Sequence, residues 1–183
     1  YHALAAMDRA ETARIYRKEI SNNTLKIDDF ENNAEQESNV LQKMVLLKKA
    51  LAFAGANEEL TRQLAIIQGG AASGGEATVT LGRIQEKFRS IRQKANVVIE
   101  SKNATETIKS AIAATFQQEG FSISKDKAAS ILAVTINYQT LKADLNRDDA
   151  EFVKWELVVD VTDLQSNRSL KTFLAEGRDG APS

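Results

Sequence analysis

The 183-residue chain contains no cysteine. Disulfides, thiolate nucleophiles and cysteine-held metals are excluded, and the absence suits a reducing and an oxidising compartment equally. His2 is the only histidine, which removes a histidine dyad or a multi-histidine metal site; near the terminus it reads as an ordinary surface or strand residue. With a single proline, few enforced breaks interrupt long helices. Aromatic residues are scarce, at 6%. No run is apolar enough to span a bilayer, and no export leader is present. The chain begins Tyr1-His2 without a methionine, so we expect a trimmed piece whose missing leader does not argue for a cytoplasmic home. Neither charge sign dominates: 24 Lys and Arg face 25 Asp and Glu, for a net charge of -1. A dedicated nucleic-acid binder carries a basic excess, so we expect no nucleic-acid partner.

What is present is ordinary for a folded protein, with 43% hydrophobic and 27% charged residues, enough for one domain or two small ones. Tyr1 to Ala6 fits a short strand. Asp8 and Glu11 form a capping-box pattern, and behind it Ala13, Tyr16, Ile20, Asn23, Ile27, Phe30 and Ala34 recur at steps of three and four. Asn23 within that seam either fixes register or marks a partly exposed bend. Ser38 is placed to cap a second helix. There, one stripe (Val40, Met44, Leu47, Leu51, Ala54) adjoins another (Leu46, Ala50, Phe53, Asn57, Leu60, Leu64, Ile67), making a broad apolar face, with a break expected near Gly55. Gly69-Gly70 and Gly74-Gly75 mark a flexible connector.

Beyond it, Thr80 is placed to cap a helix bearing Leu81, Ile84, Phe88 and Ile91. Asn96 to Glu100 reads as a buried strand. Asn103 and Glu106 suggest a capping box for a helix that Gly120 ends. Phe121 to Ser124 is a short strand, and Ala129 to Leu141 alternates. Glu151 to Asp163 alternates more strictly, with Val153, Trp155, Leu157, Val159 and Val161 directed inward. Turns at Leu145 to Ala150 and Gln165 to Arg168 lead into a last strand, Ser169 to Gly177. The expected class is α+β: a long antiparallel helical hairpin, then a β-α-β unit and an antiparallel meander, with a helix on one sheet face. The expected organisation is a strand and hairpin over 1–68, a glycine-rich connector over 69–76 and a sheet domain over 77–183.

No residue set presents a catalytic, metal or cofactor constellation. Asp28, Asp29, Glu31, Glu35 and Glu37 fan around a helix and lack calcium-loop spacing. Asp148-Asp149 reads as turn chemistry. Arg83, Lys87, Arg89, Arg92 and Lys94 put five cations on one helix; they form either a contact for anionic headgroups and glycans or a solvated outer face. Trp155 falls in phase with aliphatic residues and reads as a core anchor.

The segments 1–10 (YHALAAMDRA), 47–54 (LKKALAFA) and 63–67 (QLAII) together resemble the region after the conserved module in bacterial envelope lipoproteins typified by a small gastric-pathogen surface antigen. Separately, 119–124 (EGFSIS), 128–138 and 157–164 (LVVDVTDL) resemble the sheet units of the curli-secretion lipoprotein, flagellar-ring proteins and the Tol amino-terminal domain. These resemblances imply a periplasmic module, tethered to the membrane only through an upstream anchor. It would be non-enzymatic, without cofactor, and would act on an envelope protein partner or on its own copies. The alternative is a lipid or small-molecule carrier with a groove between hairpin and sheet. A remoter one is a hydrolase using Asp160 or Asp163.

Overall fold

A computed structural model describes residues 8–70, 75–143 and 150–182. The strand expected over Tyr1 to Ala6, the middle of the glycine-rich connector and most of the 145–150 turn lie outside them. The fold is α+β, with helices preceding a mixed five-stranded sheet. The chain divides into two compact units at Ile91/Arg92.

In the first unit, α1 (Arg9–Gln36) and α2 (Val40–Ile67) form the antiparallel hairpin. Asp8 caps α1 by accepting from the backbone N–H groups of Ala10 and Glu11. Glu11 does not reach back; its carboxylate holds Arg14 instead. Asn39, not Ser38, caps α2, accepting from Gln42 N–H, while Glu37 receives the Asn39 N–H. An asparagine one residue later competes well for the cap because its carbonyl reaches the third N–H. No break occurs at Gly55: α2 runs through it as one helix. The flanking turns on a packed hairpin hold the glycine, whose intrinsic cost of about 1 kcal/mol is too small to interrupt them.

Third in order is α3 (Gly75–Lys94), which starts five residues ahead of the expected Thr80. Its buried residue, Ile84, joins Ile27, Ala34, Leu47, Ala50 and Ala54 in one core. Alanine at three of those six places lets the helix backbones approach closely, and Ile84 and Leu47 fill the remaining space. Phe30 and Phe53 stack across α1 and α2 with ring centres 5.9 Å apart. Among the described residues, the two buried asparagines fall in the hairpin, Asn23 on α1 and Asn57 on α2.

In the second unit, β1 (Asn96–Lys102) lies between β2 (Ser122–Ser124) and β3 (Leu132–Ala143), parallel to both. Helix α4 (Glu106–Gln118) crosses between β1 and β2 and packs on those two strands. Its cap is Thr105, which accepts from Ile108 N–H. Asn103, the expected cap, instead takes a left-handed turn conformation, φ 62°, which asparagine tolerates better than most residues. Gly120 ends α4 at φ 85°, with the Arg92 guanidinium so close that a Cβ would meet its Nε at 3.0 Å.

The other strands form the meander: β3 pairs antiparallel with β4 (Ala150–Asp163), and β4 with β5 (Arg168–Pro182). The last strand is longer than the expected Ser169 to Gly177. The sheet order is β2-β1-β3-β4-β5, so β5 is an edge. Because β1 pairs only with Leu132 to Asn137 of β3, the rest of β3 carries just β4 and β5 beyond it, as a three-stranded ribbon.

Candidate functional site

The sheet separates its chemistry by face. Register places Val134, Ile136 and Tyr138 beside Val161, Val159 and Leu157, with Phe173 and Ala175 outside them. Alternate positions put Gln139, Lys154, Glu156, Asp160, Thr172 and Glu176 on the opposite face. There Lys154 is held by Glu156 at 2.9 Å and Glu176 at 3.0 Å. Gln139 also donates to Glu156. The Lys154 ammonium draws the Glu156 carboxyl below its usual range, and Glu156 raises Lys154 in return.

Burial falls off across the apolar face. Val134 and Ile136 on β3 are fully buried. Val159, Leu157 and Trp155 on β4 are half-buried, and Phe173 on β5 is 54% exposed. On the polar face, Leu174 is 70% exposed. The inward set expected along β4 thus shares one face without being enclosed. Trp155 lies across Gly177, where a Cβ would meet the indole Cζ2 at 2.4 Å; glycine is required there because only a bare backbone admits the ring. Opposite Val161 and Thr162, the β4–β5 ladder carries a bulge, which sharpens the local twist of the edge.

Among the described residues the sheet has two edges, the three-residue β2 and the long β5. A strand without a neighbour presents a row of backbone N–H and C=O groups that an extended segment can pair with. The strand expected here, Ser169 to Gly177, was placed by the turn before it, but its length and edge position were set by pairing with β4, which carries no local signal.

Four of the five cations named from sequence stand beside carboxylates. Arg83 grips Glu31 with both terminal nitrogens, at 2.5 and 2.6 Å. Lys87 reaches Glu31 at 3.0 Å and Glu35 at 3.1 Å. Arg89 pairs with Glu86. Arg92, in the second unit, lies 3.8 Å from Glu119. Lys94 is exposed in the last turn of α3. The acidic run on α1 therefore serves α3: Glu31 is 7% exposed. Burial pushes its carboxyl up, but the bonds from Arg83 and Lys87 outweigh burial and hold it below the usual range. The 52-residue separation of Glu31 and Arg83 hid this pairing from any local reading.

Asp160 and Asp163 sit apart in role. Asp160 accepts from the Thr172 hydroxyl across the β4–β5 ladder, at 2.5 Å. Asp163 is buried at the turn and accepts from Gln165 N–H and the Ser166 hydroxyl, at 2.9 and 2.6 Å. They alternate onto opposite faces of β4 and make no carboxylate pair. Among the described residues, no group of three His, Cys, Asp or Glu could hold a metal ion. No helix among them is long and apolar enough to cross a membrane.

Three solved bacterial lipoproteins are similar to parts of this chain. The minor lipoprotein of Acinetobacter baumannii matches at 12% identity and a TM-score of 0.35, over 49% of this chain and 66% of that one. Lipoprotein GNA1162 of Neisseria meningitidis matches at 11% identity and a TM-score of 0.36, over 48% and 84%. Rare lipoprotein B of Shewanella oneidensis matches at 6% identity and a TM-score of 0.33, over 48% and 68%. No family model and no curated protein sequence matches the chain.

Proposed function

We propose that this chain is a non-enzymatic binding and assembly module of a bacterial envelope lipoprotein, held in the periplasm, which docks an extended segment of an envelope protein along β5. The observation that carries this reading is the edge itself. Strand β5 runs from Arg168 to Pro182 with β4 on one side only, and it exposes Phe173 and Leu174 by 54% and 70%. Natural edges are usually shortened, covered or charged to prevent pairing. Here the middle of the edge is apolar on both faces. Added-strand recognition suits such a site: main-chain hydrogen bonds supply affinity, and alternating side chains supply selectivity.

Lys171 and Glu176 flank Phe173 and Leu174 and set a polar limit on each side of the docking stretch. The periplasmic placement follows the sequence resemblance, and docking follows the edge. The test is a photo-crosslinking residue in place of Leu174, expressed in native envelopes. The expected result is a discrete adduct with an envelope protein that Phe173→Lys abolishes. Adducts only with cytosolic proteins, or adducts unaffected by Phe173→Lys, would end the proposal.

A further inference from the structure

We propose that the cleft between α1, α2 and α3 binds a small organic ammonium ion. The cleft belongs to the first unit and measures about 610 Å³, within the range of small-ligand sites. Ile27 and Ala54 of its lining belong to the core, and Glu76, Ala77, Val79 and Thr80 bring to it the start of α3, which Thr78 ties to Glu58 at 2.9 Å.

Its walls combine an aliphatic surface with one buried acceptor, Asn57 Oδ1, that has no donor to meet it. Ile20, Ile27, Ala54 and Val79 supply the apolar part, and Val79 stands 70% exposed at the rim. Asn57 is 5% exposed. Its Nδ2 donates to the Ile20 carbonyl at 3.1 Å and to Thr24 Oγ1 at 3.2 Å. Its Oδ1 is buried with no hydrogen-bond partner. Turning the amide over would set that oxygen against the Ile20 carbonyl, so the orientation is fixed by repulsion. The Thr24 hydroxyl donates its proton to Ile20 O at 2.9 Å, so it has no second proton to offer.

Charge selects among ligands that could donate to Asn57. Asp28 and Glu76 bring two carboxylates to the cleft. Arg83 is the cation on the same wall; both of its terminal nitrogens bond Glu31, and its charge is shared among Glu31, Asp28 and Glu35. The lining thus presents acceptors and a negative balance. An alkylammonium supplies three N–H donors, a positive charge and an aliphatic body for the apolar wall. A carboxylate of the same length would face repulsion, and an alcohol would leave the negative charge uncompensated.

The full chain would be titrated calorimetrically with hexylammonium at low salt, beside hexanoate and hexanol. One saturable site for hexylammonium, with at least tenfold weaker binding of the other two, is expected. Asp28→Asn, at an exposed position, should weaken hexylammonium at least fivefold. Asn57→Leu, checked for folding by circular dichroism, should remove measurable binding. The proposal is overturned if hexylammonium does not bind, if hexanoate binds as well as it does, or if both variants bind unchanged. A crystal structure grown with hexylammonium that shows only a water on Asn57 Oδ1 would overturn it too.

Discussion

Replacing Gly177 by alanine should unseat the chain's only tryptophan. The added Cβ would lie 2.4 Å from Trp155 Cζ2, 2.6 Å from Cε2 and 2.9 Å from Nε1. Carbon atoms in ordinary contact stand about 3.5 to 4.0 Å apart, so the ring must retreat by roughly 1 Å. Trp155 is half-buried, which allows it to swing outward rather than push the strand aside. A tryptophan covers about 150 to 250 Å² when buried, and half of that at about 25 cal/mol per Å² stabilises by about 2 to 3 kcal/mol. Losing most of this contact, set against about 0.5 to 1 kcal/mol gained from alanine over glycine in a strand, leaves a net cost of about 1 to 2 kcal/mol. Urea unfolding followed by both circular dichroism and tryptophan emission measures it, with emission moving to longer wavelength in the folded variant. In a Trp155→Leu background the same Gly177→Ala change should be neutral or stabilising, since the obstructing ring is gone. A Gly177→Ala protein of undiminished stability and unshifted emission would refute the packing described here.

Three further outcomes follow from the first unit. Ile84→Ala should cost about 3 kcal/mol in denaturant unfolding, because a fully buried side chain leaves a cavity; a cost below about 1 kcal/mol would mean that α3 is not anchored there. Arg83→Ala should cost about 2 kcal/mol at neutral pH by leaving buried Glu31 to Lys87 alone, a figure moderated by Arg83 being 47% exposed. Since the folded-state pKa of Glu31 is lowered, its stabilisation is complete above the ordinary glutamate range and lost as pH falls through the lowered value. Glu31→Gln should accordingly flatten the acid limb of the stability curve, and an unchanged limb would contradict the sign.

The helical half was open to reading because each helix repeats its apolar residues at the period that buries them. Ala13, Asn23, Ile27 and Ala34 of α1 are all buried. Caps were less secure: Ser38 and Asn39 are adjacent residues of similar capping strength, and only backbone geometry selects between them. Strands β3 and β4 announced themselves by alternation, yet the parallel placement of β3 beside β1 carried no such signal. That pairing depends on where α4 and β2 send the chain, which no stretch of sequence records. Interactions between distant positions were hidden for the same reason. Glu31 looked like one of several carboxylates fanning around a helix until α3 brought Arg83 to it, and Asn57 was one member of an apolar stripe until Ile20 and Thr24 met its amide.

The most direct measurement compares photo-crosslinkers placed singly at Leu174 on β5 and at Leu25 on α1, exposed by 70% and 63%, in intact envelopes. If β5 is the docking edge, Leu174 yields a discrete envelope-protein adduct and Leu25, equally apolar and accessible, does not. Identical products from both positions, or none from Leu174, would contradict it.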